Sequence, residues 1–154
     1  MEIILAIEWD VLVVEMSLLA AIIYGAIFVE SWFEKRKARN EEEKMKKKIL
    51  MIVADDLNKQ LQFIEESVRD KDFKPFHTSI WDAVILGGKQ TLLPFDIFEK
   101  LQDTYSWMRY YNSELSLNGT ENEKLIIELL GDVRKSITQS LAHLNNKYQI
   151  SFLE

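Results

Sequence analysis

Cysteine is absent from this chain, and proline, histidine and glycine are scarce: two, two and five in 154 residues. Without cysteine there is no disulfide, no thiolate nucleophile, no iron–sulfur cluster and no Cys-based zinc site, and the chain suits a reducing compartment. His77 and His143 stand in none of the HExxH, ExxH or HxH spacings, so a metal site would need carboxylates from distant helices. The Gly87-Gly88-Lys89-Gln90-Thr91 run sets a lysine beside glycines but lacks a preceding strand and the GxxxxGK spacing of a phosphate loop. Asp55-Asp56 and Glu65-Glu66 are adjacent pairs, whose members point in different directions on a helix. They read as solvated faces, not as a general acid/base couple. These absences leave no catalytic residue, no metal ligand and no cofactor to name, and the chain reads as not an enzyme; an enzyme with an unrecognised site is the alternative.

What is present is a long hydrophobic run. Val11 to Val29, VLVVEMSLLAAIIYGAIFV, carries one charge and no proline. Its nineteen residues cover roughly 28 Å as a helix, close to a hydrocarbon core of about 30 Å. Its Val, Leu, Ile and Phe residues, at roughly −0.3 to −0.6 kcal/mol each, outweigh a single Glu15 at about +3 kcal/mol. Trp9 and Trp32 fall at the two edges as membrane-interface anchors. Residues 1–33 therefore read as a single transmembrane anchor. A cleaved signal peptide is disfavoured, because Glu2 and Glu8 stand where a basic region belongs and Ser31-Trp32-Phe33 is too bulky for a cleavage site.

Charge is distributed unevenly. The net −6 is made of five acids and no bases in residues 1–33, eight bases and four acids in 34–48, and eleven bases and sixteen acids in 49–154. The juxtamembrane bases Lys35, Arg36, Lys37 and Arg39 follow the span directly, and a Lys/Arg excess there marks the cytoplasmic side. The expectation is a single-pass protein of the cell membrane, N-terminus outside and C-terminal domain cytoplasmic. A domain of net −5 without a nucleic-acid-binding motif argues against nucleic acid as a partner.

Residues 34–48 are polar all round and carry Glu42/Lys46 and Glu43/Lys47 at favourable i, i+4 spacing, which reads as a solvated helical stalk; the alternative is an electrostatic foot on anionic lipid, against which four acids interrupt the bases. From Ile49 a stripe of Leu50, Val53, Leu57, Leu61, Ile64 and Val68 predicts a helix to about Arg69. A short helix follows, N-capped by Thr78 or Ser79, with Ile80, Trp81, Val84 and Ile85 on its apolar face and Gly87-Gly88 closing it. Trp81 is expected in the structural core. A third helix starts with Pro94 in its first turn, buries Phe98, Leu101, Tyr105, Met108, Tyr111 or Asn112, and Leu115, and ends at Asn118-Gly119. Thr120 to Glu123 has the form of a capping box for a fourth helix carrying Ile126, Leu129, Val133, Ile137, Leu141, Leu144 and Tyr148. The fold class is all-α: a transmembrane helix, then an antiparallel three-helix bundle of residues 49–154 with one extra short helix.

The run Pro75-Phe76-His77-Thr78-Ser79-Ile80-Trp81-Asp82, with Gly87-Gly88, Leu92-Leu93, Tyr105 and Asn112, resembles a segment of poorly characterised, membrane-anchored small helical proteins of prokaryotes. The resemblance implies a small helical domain with no established activity, and so assigns no catalytic residue. Within the span, Ser17, Ala21 and Gly25 form a ladder of small residues that admits a neighbouring helix, and Glu15 lies about one helix face round from it. A carboxylate at that depth normally faces protein or water. Glu15, Ser17, Ala21 and Gly25 are thus the expected contacts with other membrane proteins, in an accessory or regulatory subunit of a membrane complex; the alternative is a homodimer acting as a scaffold or sensor.

Overall fold

The computed structural model describes residues 9–119 and 122–148. Those residues form four α-helices and no strand: α1 (Trp9–Asp70), α2 (Ser79–Leu86), α3 (Phe95–Asn118) and α4 (Glu123–Tyr148), with a 3-10 turn at Lys89–Leu92. The chain divides into two compact units, Met1–Glu43 and Lys44–Glu154, and α1 contributes to both.

No glycine or proline occurs from Ala26 to Asp70, and residues 34–48 are rich in Glu, Lys and Arg, which are good helix formers. Consequently the expected stalk and the helix expected from Ile49 belong to one helix. It ends at Asp70, where Lys71 takes a left-handed φ of 54°. Within the first unit α1 carries the one helix among the described residues that is long and apolar enough to cross a membrane, and none of its apolar window is buried.

In the second unit a single core draws on α1 from Ile49 onward, α2, α3 and α4. Antiparallel pairings align α4 with α3: Asp96 meets His143 and Lys147, while Thr104 meets Ser136 and Ser140. The second seam is made of small hydroxyls. Thr104 Oγ1 donates to Lys100 O at 3.0 Å and lies 2.8 Å and 2.9 Å from Ser136 and Ser140 Oγ, so buried polar atoms are satisfied where the helices meet.

Several expectations are corrected. Val68 is exposed and Ser67 is buried in its place. Ile97, Thr104, Leu130 and Ser140 are buried although the predicted stripes pass them by. The Thr78 hydroxyl makes no helix cap; it donates to the Asp82 carboxylate at 2.8 Å. Pro94 stands just before α3, since its ψ of 144° is extended. Glu123 opens α4, and Asn122 Oδ1 accepts from the Leu125 N–H at 3.3 Å. Thr120 lies outside the described residues. Two glycines do take the backbone geometry that favours them, Gly88 at φ 66° after α2 and Gly119 at φ 56° after α3.

Candidate functional site

The surface that sets this chain apart lies on the first unit. From Leu12 to Glu30 every side chain is exposed, including Leu18, Ile22, Ile23, Ile27 and Phe28. Glu15, Ser17, Ala21 and Gly25 lie among them, and apart from its chain neighbours and the adjacent backbone of α1, no atom of the described residues comes within 4 Å of where a Cβ at Gly25 would be. Among the described residues, nothing in this unit covers the expected contact residues. Trp9 opens α1, but its side chain lies outside the described residues. Trp32 is half exposed and packs edge-on against Phe33, ring centroids 5.3 Å apart. The Arg36 guanidinium lies 5.5 Å from the centre of the Trp32 ring. Trp32, Lys35, Arg36, Arg39 and Asn40 together line a recess of about 380 Å³. Lys37 is exposed outside it.

The second unit contains a chain of polar contacts built on Trp81, which is fully buried. Its ring stacks on Tyr105 at 5.3 Å with the planes 3° apart, and its Nε1 donates to Gln102 Oε1 at 2.9 Å. Tyr105 donates in turn to Asp56 Oδ2 at 2.6 Å, and Gln60 donates to the His77 carbonyl at 3.0 Å. The neighbouring loop is held by Asn112, which accepts from the Phe76 N–H and donates to the Phe76 carbonyl. Asp82 receives Thr78 and Arg109, and these contacts hold its carboxyl below the usual range, the Thr78 hydrogen bond most of all. These contacts tie the α2 segment to α1 and α3. Every member has a protein partner, which makes the chain a brace for the fold.

Asp55 and Asp56 prove unlike. Asp55 is exposed and paired with Lys59 at 2.7 Å, whereas Asp56 is half-buried and holds Tyr105. Reading both as a solvated face was therefore wrong for Asp56, because its partner lies 49 residues away. His143 meets Asp96 at 3.0 Å, and Lys147 meets the same oxygen at 2.6 Å; the Lys147 and His143 hydrogen bonds hold the Asp96 carboxyl down to about 2. A lysine thus occupies the place a cation would need. Among the described residues no three His, Asp or Glu side chains gather as a metal site.

Two buried phenols make opposite predictions. Tyr111 is fully buried, and its hydroxyl has no hydrogen-bond partner among the described residues. Burial pushes it up to about 12. Tyr111→Phe should raise stability by about 1 kcal/mol, since it removes an unsatisfied buried group. Tyr105→Phe should lower it by about 1.5–3 kcal/mol, the range for a hydrogen bond to a charged partner. Burial first, and then Asp56, raise the Tyr105 phenol above its ordinary range. Because a raised phenol keeps its proton while the unfolded chain loses one, stability should fall as pH rises above about 10. The Tyr111→Phe variant should soften that fall. Urea unfolding of both variants at neutral and alkaline pH checks the pair; equal effects at the two positions would contradict the hydrogen-bond assignments.

Two aromatic residues missed by the stripe analysis mark a further surface. Trp107 and Tyr110 lie off the buried face of α3, are 40% and 48% exposed, and meet edge-on at 6.1 Å. With Asp103 and Ser106 they line a recess of about 260 Å³. The sequence does carry the signal: large aromatics three apart, off the apolar stripe, in a helix whose core positions are already filled.

The chain matches no family model, no curated protein and no solved structure. Functional inference therefore rests on these surfaces.

Proposed function

We propose that the chain is a single-pass membrane protein, non-catalytic, that serves as an accessory or regulatory subunit of a membrane protein complex. Residues 1–33 are the anchor, 34–48 the charged juxtamembrane helix, and 49–154 a cytoplasmic antiparallel three-helix bundle with α2 as its extra short helix. One observation carries the reading: residues 12–29 expose an apolar surface on every side, while the second unit closes a core of its own. Such a surface calls for hydrocarbon or for neighbouring helices. The Lys/Arg asymmetry supports the orientation, and the antiparallel pairings of α4 support the bundle. Glu15 with the small-residue ladder, and the Trp107/Tyr110 recess, supply a contact surface in each unit. The open ladder favours one second reading, a homodimeric scaffold or sensor.

Because the chain has no cysteine, single substitutions provide clean labels. Glu2→Cys should react with an impermeant maleimide in intact cells, and Ser113→Cys only after lysis; the reverse pattern would overturn the orientation. Mild-detergent purification should recover a defined foreign complex, whereas a homodimer alone would select the scaffold reading. Glu15→Leu should still insert yet lose the copurifying partner, and Gly25→Ile should disturb association by filling the open approach. Unchanged partners at unchanged stoichiometry in both variants would reduce the span to an anchor.

A further inference from the structure

The basic edge of α1 is more ordered than a charge run requires. Trp32, Lys35, Arg36, Arg39 and Asn40 follow one another at steps of three and one, so all five lie on one helix face and enclose one recess. The Arg36 guanidinium lies over the Trp32 ring, 5.5 Å from its centre, a cation–π contact that does not use its N–H donors. Among the described residues, Lys35, Arg36 and Arg39 are paired with no carboxylate. At about 100° per residue, Glu34 and Glu41 fall off this face, while Glu42 at its edge and Glu43 on it lie one turn further along. Lys37 points about 130° away from the recess.

We propose that this recess holds the phosphate of an anionic phospholipid, with Arg36 and Arg39 donating to its oxygens and Lys35 adding charge. The volume, about 380 Å³, lies within the range of small-ligand clefts, about 300–1,000 Å³. Exposed Phe28 and Val29, one turn earlier, offer apolar surface to the acyl chains, which a free phosphate would not use. The lining contains no carboxylate to meet a choline or ethanolamine cation, and that favours a headgroup of net negative charge. The proposal rests on the membrane-anchor reading and adds a lipid class to it.

Native mass spectrometry of the full chain in detergent, titrated with phosphatidylglycerol or phosphatidylcholine, tests it. Phosphatidylglycerol should be retained at one per chain and phosphatidylcholine should not. Arg36→Gln should weaken retention about fivefold and the Arg36→Gln/Arg39→Gln double variant about thirtyfold, from about 1 kcal/mol per cation near a lipid surface. Lys37→Gln removes the same charge outside the recess and should leave retention unchanged. Equal loss in Lys37→Gln and Arg36→Gln, equal retention of the two lipids, or full displacement by inorganic phosphate would each overturn the site. The two readings fail differently. A chain recovered from the soluble fraction without detergent removes the anchor and the lipid with it. A membrane-extracted chain that retains neither lipid leaves the anchor standing and removes the lipid site alone.

Discussion

Deleting residues 1–43 should convert a chain that needs detergent into one that stays in solution without it. The deleted unit carries the exposed apolar surface of residues 12–29, whose Val, Leu, Ile and Phe side chains together favour hydrocarbon by roughly 3–6 kcal/mol, against about 3 kcal/mol for Glu15. Left in water, that surface associates with itself or with other apolar matter. The retained residues 44–154 keep every buried apolar side chain of the core, from Ile49 to Leu144. Their fragment should therefore sediment as a soluble species, show strongly helical circular dichroism and melt cooperatively, while the full chain stays in the pellet after alkaline extraction of membranes. An aggregated or unfolded fragment would mean that the core is incomplete without the first unit, and a full chain in the supernatant would remove the anchor.

Trp81→Ala should be the most damaging single substitution in the second unit, at about 3–5 kcal/mol. The indole is wholly buried, is stacked on Tyr105 and lies 5.9 Å from the Phe98 ring, so truncation opens a cavity beneath a helix of only eight residues. A short helix has little stability of its own to offset that loss. Against a total of roughly 5–15 kcal/mol for a domain, the melting temperature should drop by the order of 15 °C, and the fragment 44–154 will be marginal. Trp81→Phe keeps most of the ring contact and forfeits the hydrogen bond to Gln102, which costs about 0.5–1.5 kcal/mol for the bond itself. Thermal melts of the two variants should thus be well separated. An unchanged melt in Trp81→Ala would contradict the burial and make Trp81 a surface contact.

The helices were legible in the sequence wherever one physical signal dominated. Composition alone picks out residues 11–29, because a nineteen-residue run with one charge has no polar face to turn to water. The 3.6-residue period exposes Leu50, Val53 and Leu57, Tyr105 and Met108, and Ile126, Val133 and Ile137 as core, and all of these are buried. Glycine marks the ends of α2 and α3 because each turn uses a left-handed backbone there.

Where two elements had to meet before a residue acquired its role, the sequence was silent. Asp56 looks like any exposed acid until α3 brings Tyr105 to within 2.6 Å of it. Thr104 and Ser140 score as polar, yet they are buried, since paired hydroxyls satisfy one another where α3 and α4 meet. The recess lined by Trp32, Lys35, Arg36, Arg39 and Asn40 also needed coordinates, because only side-chain placement shows Arg36 lying over Trp32. Sequence by itself determined the helical class, the apolar run and most of the core stripes, since these follow from local periodicity and composition. Tertiary structure alone decided which polar side chains are buried and which aromatics remain outside, because both depend on partners dozens of residues away.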